Sequence, residues 1–222
     1  MEDELINTDL DDINDLLPKI ETSFRIKFDK SDKIHVKTFG ELCDVIINKI
    51  EGNHVNDCTT QQAFYKIRKA IINTLQCDRD AVKPGSQLAE IFPRTHRRAQ
   101  VKKLENALGC KIHILEAKAW LSNSLLVIAL ASLIVIFFSP LNGLLVLGLS
   151  IAGRWLSSKQ GKELKVHTVE QLVKKLTREH YMDLRRAPGT VNRTELITQI
   201  KELFKADLYL DDNALRADAP LY

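Results

Sequence analysis

The sequence is poor in the constellations that mark enzymes. It has no nucleophile elbow, no phosphate loop, no paired carboxylates in an apolar setting and no cluster of metal ligands. His96 beside Thr95 is the nearest approach to a nucleophile–base pair, and two surface residues account for it better. The four cysteines, Cys43, Cys58, Cys77 and Cys110, are dispersed and form no C-x-x-C pair. Cys43 and Cys110 sit in apolar patterns, as core thiols do, and domains facing the cytoplasm would keep all four reduced. His54 and Cys58 lack the two further ligands that a zinc site needs. A net charge of +3 is too small to point to nucleic acid. Residues 1–12 are acidic rather than apolar, so no cleavable leader is expected there.

The most telling absence is local. From Leu121 to Gly153 no residue is charged. The run is broken once, by Ser139-Pro140-Leu141-Asn142-Gly143, and Pro, Asn and Gly together are turn chemistry. The pattern predicts two membrane helices, about 121–138 and 141–156, within a hairpin over 120–156. At ~1.5 Å per residue they reach ~27 and ~24 Å, a little short of a ~30 Å hydrocarbon core. In lipid each backbone N–H and C=O must be satisfied inside its segment, which a helical hairpin achieves. The short spans leave a buried hairpin of a soluble domain as the lesser alternative. Gly143, Gly148 and Gly153 recur every five residues, so the four-residue close-packing motif is absent.

The flanks set an orientation. Lys102, Lys103, Lys111 and Lys118 precede the hairpin, Arg154, Lys159, Lys162 and Lys165 accompany its end, and the turn carries no charge. Positive residues stay on the cytoplasmic side, so both soluble flanks are expected there. Trp120 and Trp155, the only tryptophans, fall at the two same-side ends, where amphipathic rings settle at headgroup level.

Two charge runs stand out elsewhere. Glu2, Asp3, Glu4, Asp9, Asp11, Asp12 and Asp15 come without a cation, and Arg94, Arg97, Arg98, Lys102 and Lys103 without an anion. Solvated faces are the plain explanation.

The remaining chain reads as short amphipathic helices. Ile13, Leu16, Leu17, Ile20 and Phe24 recur at helical spacing, with Pro18 expected to start or kink that helix. Thr38-Phe39-Gly40-Glu41 is a capping box opening a helix with Phe39, Leu42, Val45, Ile46 and Ile50 on one face. A helix from Thr59 carries Phe64, Ile67, Ile71, Ile72 and Leu75, and a long loop with Pro84-Gly85 follows. A helix from about Thr95 turns Val101, Leu104 and Leu108 inward. Thr168-Val169-Glu170-Gln171 is a second capping box, and a last helix from about Arg193 precedes the loop 211–220.

Internal repeats organise these pieces. Residues 75–88 align without a gap on 208–221, with Leu75/Leu208, Asp78/Asp211, Ala81/Ala214 and Leu88/Leu221 identical. Residues 20–28 align on 104–112, and the box at Thr38 on the box at Thr168. A first helix with long loop, a central helix and a capped last helix thus recur. One copy spans 59–118 with 160–182, the hairpin inserted before its last helix. The other is split, 1–51 pairing with 190–222.

This three-part pattern resembles the acyl carrier protein family, whose last helix often opens T-V-x-D-L. The echoes are Thr38-Phe39-Gly40-Glu41-Leu42, Thr168-Val169-Glu170-Gln171-Leu172, Gly85-Ser86-Gln87-Leu88 and Asp218-Ala219-Pro220-Leu221. The resemblance implies an all-α fold of two small carrier-like bundles, one circularly permuted, beside a two-helix transmembrane hairpin. Closure between two chains is the alternative to the permuted bundle. The family's decisive residue is a serine carrying 4′-phosphopantetheine. The matching positions here are Leu10 and Arg94, so the cofactor is not expected, and Thr95 and Ser86 remain as off-register hydroxyls. The family's central helix is usually acidic, whereas that of the second unit here is basic. Arg94, Arg97, Arg98, Lys102 and Lys103 would meet anionic lipid, an acidic carrier or lipid-synthesis enzyme, or this chain's own acidic segment. The expectation is a membrane-anchored, non-catalytic docking or scaffolding protein near lipid or fatty-acid machinery. The alternative is a genuine carrier modified at Thr95 or Ser86.

Overall fold

The computed structural model describes residues 5, 8, 10–29, 32, 36–50, 52–185 and 189–221. Glu2, Asp3, Glu4 and Asp9 of the acidic run lie outside the described residues. The chain is mostly helical. In order come α1 (Leu10–Phe24), α2 (Phe39–Lys49), β1 (Asn53–His54), α3 (Thr59–Leu75), α4 (Leu88–Ile91), α5 (Arg97–Leu108), β2 (Leu115–Glu116), α6 (Ala119–Phe138), α7 (Pro140–Gln160), β3 (Glu163–Leu164), α8 (Val169–Glu179), α9 (Tyr181–Leu184), β4 (Thr190–Val191) and α10 (Arg193–Leu208). The two-residue strands form two small ties, β1 with β4 parallel and β2 with β3 antiparallel. An all-α reading omits them, because two residues are too few to show an alternating pattern.

Two compact units divide the chain: Met1–Ala70 with Val173–Tyr222, and Ile71–Leu172. The boundary runs through α3 and α8, which the sequence assigns whole to the second bundle.

In the first unit the two ends of the chain share one core. Ile13, Leu16, Ile20 and Phe24 of α1 are buried with Phe39, Leu42 and Ile46 of α2 and with Leu196, Ile200 and Phe204 of α10. Phe39 and Phe204 meet edge to face at 5.1 Å. Pro18 neither starts nor ends α1; it lies inside the helix on the exposed face. An interior proline costs ~3 kcal/mol, and each large apolar side chain that α1 buries returns ~1.5–3 kcal/mol. The helix therefore continues through it. The capping box at the start of α2 is present: Glu41 N–H donates to Thr38 Oγ1 (3.3 Å) and Thr38 N–H to Glu41 Oε2 (3.1 Å).

In the second unit Val82, Leu88, Phe92, Val101, Leu104, Leu108, Ile112 and Ile114 are buried, with Val169 and Leu172 from the start of α8. Gln171 N–H donates to Thr168 Oγ1 (3.2 Å), and Gln171 Oε1 accepts from Thr168 N–H (3.4 Å).

The same contacts recur in each unit at the positions that the sequence alignment pairs. Leu221 N–H donates to Lys37 O and Phe39 N–H to Ala219 O; Leu88 N–H donates to His167 O and Val169 N–H to Ser86 O. Gly40 N–H reaches Ala217 O as Glu170 N–H reaches Pro84 O. Phe28 N–H donates to Glu21 Oε1 (2.8 Å) as Ile112 N–H donates to Glu105 Oε1 (3.0 Å). Lys27 pairs with Glu21 as Lys111 pairs with Glu105. The residues that end the paired helices, Arg25 and Gly109, Gln76 and Tyr209, all have positive φ.

The apolar run forms two long antiparallel helices, α6 and α7, packed on each other. They are longer than the sequence suggests, at ~30 Å each from ~1.5 Å per residue. The turn shrinks to Ser139, because Pro140 is the first residue of α7, where its fixed φ and missing N–H suit a helix start. Gly143 makes the close return possible: a Cβ there would lie 2.6 Å from Ile136 N. Among the described residues α6 alone is long and apolar enough to cross a membrane, with mean hydropathy 2.5 and only 6 % of its apolar stretch buried. The α7 end carries Arg154 and Lys159.

Candidate functional site: a basic pocket at the root of the hairpin

The basic run is organised by α5. This helix opens on Arg97 and Arg98 and has no acidic residue in its first turn. Cations there oppose the positive pole of the helix dipole. Arg98 and Lys102 add a like-charge pair at four-residue spacing, which costs a few tenths of a kcal/mol, ~0.2–0.5. Stability alone would favour carboxylates in this turn.

The five basic residues have different fates. Arg97 is not a surface residue as the charge run suggests; it is 6 % exposed. Its Nε donates to the Phe92 carbonyl (2.8 Å) and its Nη1 to the Lys162 carbonyl (2.5 Å). A planar fork satisfying two main-chain acceptors draws the guanidinium inward. Arg94 pairs with Glu163 at 2.7 Å. Arg98, Lys102 and Lys103 are exposed.

Arg98 and Lys102 line a pocket of about 370 Å³, while Lys103 lies outside it. One wall is α5, with Val101 and Glu105. The back is the segment after α5, with Lys111, His113, Ile114 and Leu115. The third wall is the end of α7, with Ser158, Lys159 and Gly161. Four cations, Arg98, Lys102, Lys111 and Lys159, thus line one pocket from three segments, with a single carboxylate among them. That carboxylate, Glu105, is engaged with Lys111 at 3.8 Å and with the Ile112 N–H. The one lining hydroxyl, Ser158, donates to the Trp155 carbonyl (2.8 Å). Lys159 Nζ stands 3.6 Å from the centre of the Trp155 ring, a cation–π contact at the mouth of the hairpin.

A rigid neck holds these walls together. Leu115 pairs with Leu164 and Glu116 with Glu163, and Lys165 N–H donates to the Ile114 carbonyl (2.9 Å). At Gly161 a Cβ would come within 2.3 Å of the Glu116 carbonyl oxygen, so only glycine lets α7 end against β2. Arg94 and Arg97 fasten the same neck to the start of α5. Such a pocket can bind an oxyanion through charge-assisted hydrogen bonds.

The two hydroxyls proposed for a prosthetic arm are placed apart from it. Ser86 closes a turn: its Oγ accepts from Lys83 N–H (3.0 Å), and its carbonyl accepts from Val169 N–H (3.1 Å). Thr95 is exposed in the turn before α5, next to the N-cap residue His96.

The first unit holds a second polar cluster that sequence reasoning missed. Arg185 Nη2 donates to Asp57 Oδ1 (2.8 Å) and Thr190 Oγ1 (2.9 Å), and Nη1 donates to Thr59 Oγ1 (2.6 Å). Tyr181 OH donates to Glu195 Oε2 (3.3 Å), and Glu195 accepts from the Thr59 and Thr60 N–H groups (2.9 and 3.2 Å). Burial lifts the Asp57 carboxyl, but the hydrogen bonds from Arg185 and Gln62 outweigh it and hold it below the usual carboxylate range. Burial also raises the Tyr181 hydroxyl. The cluster is a latch: Glu195 of α10 caps the start of α3, and Arg185 ties Asp57 to β4. Its members are scattered along the chain, so no spacing signals them. The pocket residues Lys111 and Lys159 were visible in the sequence only as flanking positive charge.

Compared with known family models, curated proteins and solved structures, the chain matches none.

Proposed function

We propose that this is a membrane-anchored, non-catalytic protein of two degenerate acyl-carrier-like bundles, a docking or scaffolding module near lipid or fatty-acid machinery. In this reading the hairpin of α6 and α7 lies in the bilayer and both soluble flanks face the cytoplasm. The observation that carries it is the hairpin, whose outward apolar surface is exposed along α6 and whose root is a basic pocket. Phe137 and Phe138 are 89 % and 86 % exposed, with Ile134 and Leu130 beside them. A continuous apolar surface of this kind calls for lipid or a partner. Both helices are long enough to cross, but α6 alone is also apolar enough; α7 returns beside it, with Arg154 reaching back to the Ser122 carbonyl (3.4 Å) near the same end. The paired hydrogen bonds of the two units support a duplicated carrier-like bundle. Leu10 and Arg94 in place of the arm-bearing serine support a non-catalytic role.

The test is topology. N142C should be labelled by a membrane-impermeant maleimide only from the far side, and Cys58 only after the cytoplasmic side is opened. Labelling of both from one side overturns the reading. The second reading, a genuine carrier, is favoured by the exposed Thr95 ahead of α5. The intact mass of the protein from its native membrane decides it: a phosphopantetheine-sized adduct restores the carrier, and an unmodified mass removes it.

A further inference from the structure

We infer that the pocket at the hairpin root is the headgroup site of one anionic phospholipid, drawn from the leaflet in which the root sits. This deepens the membrane reading above and rests on it. Depth is the first argument. Ser158 and Lys159 line the pocket one turn beyond Trp155, which is 59 % exposed, and Gly161 follows at the end of α7. An interfacial tryptophan marks the headgroup level. With the hairpin in the bilayer, these lining residues fall near the level of the lipid phosphates.

Charge is the second. Arg98, Lys102, Lys111 and Lys159 come from three segments and face one carboxylate that is already engaged. A solvated helix face has its cations on one element; here three segments contribute them to one pocket. Arg98 also sits in the first turn of α5 against its dipole, and Arg98 and Lys102 sit against each other, an arrangement that an anion relieves.

Shape separates a lipid from free phosphate. The exposed Ala99 and half-buried Leu115 give the pocket an apolar part, which suits a glycerol and its first acyl carbons and offers inorganic phosphate nothing. The volume of about 370 Å³ is that of a small-molecule site. Phosphate oxygens would accept from the Arg98 fork and from Lys102 and Lys159.

The test uses the full chain in mixed micelles of phosphatidylcholine and phosphatidylglycerol, with retained lipids read by native mass spectrometry. One phosphatidylglycerol should be retained in preference to phosphatidylcholine. R98Q/K102Q should lower that preference about 30-fold, from ~1 kcal/mol of attraction per cation. K83Q, an exposed cation outside the pocket, should leave it unchanged. Equal retention of both lipids, or a preference indifferent to R98Q/K102Q, overturns the site. Displacement of the lipid by inorganic phosphate at matched concentration overturns the lipid as its source. Alkaline extraction separates the two levels: a chain that washes out of membranes overturns the anchor itself, whereas one that stays but shows no headgroup preference overturns the pocket alone.

Discussion

Arg97 and Lys162 are held together across 65 residues of chain, the Arg97 guanidinium donating to the Lys162 carbonyl at 2.5 Å. The bond fastens the end of the hairpin to the start of α5, with Arg97 also donating to Phe92. The hairpin is thus joined to the rest of its unit through a bonded neck rather than a loose linker, and the basic pocket owes its third wall to that neck.

Removing this clamp should loosen the root. Charged donors to buried carbonyls contribute ~1.5–3 kcal/mol. Arg97→Ala is expected to lower the stability of the detergent-solubilised chain by about that amount, read by thermal unfolding. Arg97→Lys keeps the charge without the planar fork and should recover only part of the loss.

The C-terminal segment should be needed by the N-terminal helices. Phe39 packs on Phe204, and Thr38 and Pro220 form a bridge. Deleting residues 192–222 uncovers the apolar face of α2. Amide hydrogen exchange in α1 and α2 should rise toward unfolded rates, and unchanged protection would refute the shared core.

Asp57 should make the first unit sensitive to acid. Its carboxyl lies below the usual range when folded, the hydrogen bonds from Arg185 and Gln62 outweighing burial. A depressed folded value stabilises fully above the unfolded value of about 3.9 and is lost as pH falls through the folded one. Asp57→Asn should therefore cost ~1–3 kcal/mol near neutral pH, leaving the buried Arg185 without its carboxylate. The difference from wild type should shrink as pH falls below 4, as chemical unfolding at several pH values would show.

Thiol reactivity should separate two cysteines. Burial, with a smaller contribution from Asp44, pushes the Cys43 thiol up to about 12, while Cys58 is exposed. Alkylation near neutral pH should modify Cys58 quickly and Cys43 only after unfolding. Peptide mass spectrometry reads the order directly, and early labelling of Cys43 would contradict its place in the core.

What could be read from the sequence was local or periodic. The capping boxes at Thr38 and Thr168 need only four consecutive residues, and the helical faces of α1, α2, α5 and α10 need only a repeating spacing. The hairpin announced itself by a charge-free run, and the alignment of 75–88 with 208–221 anticipated where matching hydrogen bonds occur. The places of the prolines depended on the fold. Pro18 stays inside α1 because the opposite face is anchored in the core, and Pro140 begins α7 because the missing N–H costs nothing there.

The sequence by itself determined which segments become helices, where they are capped and where the chain turns wholly apolar, because backbone hydrogen bonding and side-chain periodicity act between near neighbours. Tertiary structure alone decided what the charges do. Arg97 turned inward to distant carbonyls, Lys159 joined Arg98 and Lys102 around one pocket, and Arg185 met Asp57, Thr59 and Tyr181. A charge interacts with whatever folding brings within a few ångströms, and that neighbour is rarely written beside it in the chain.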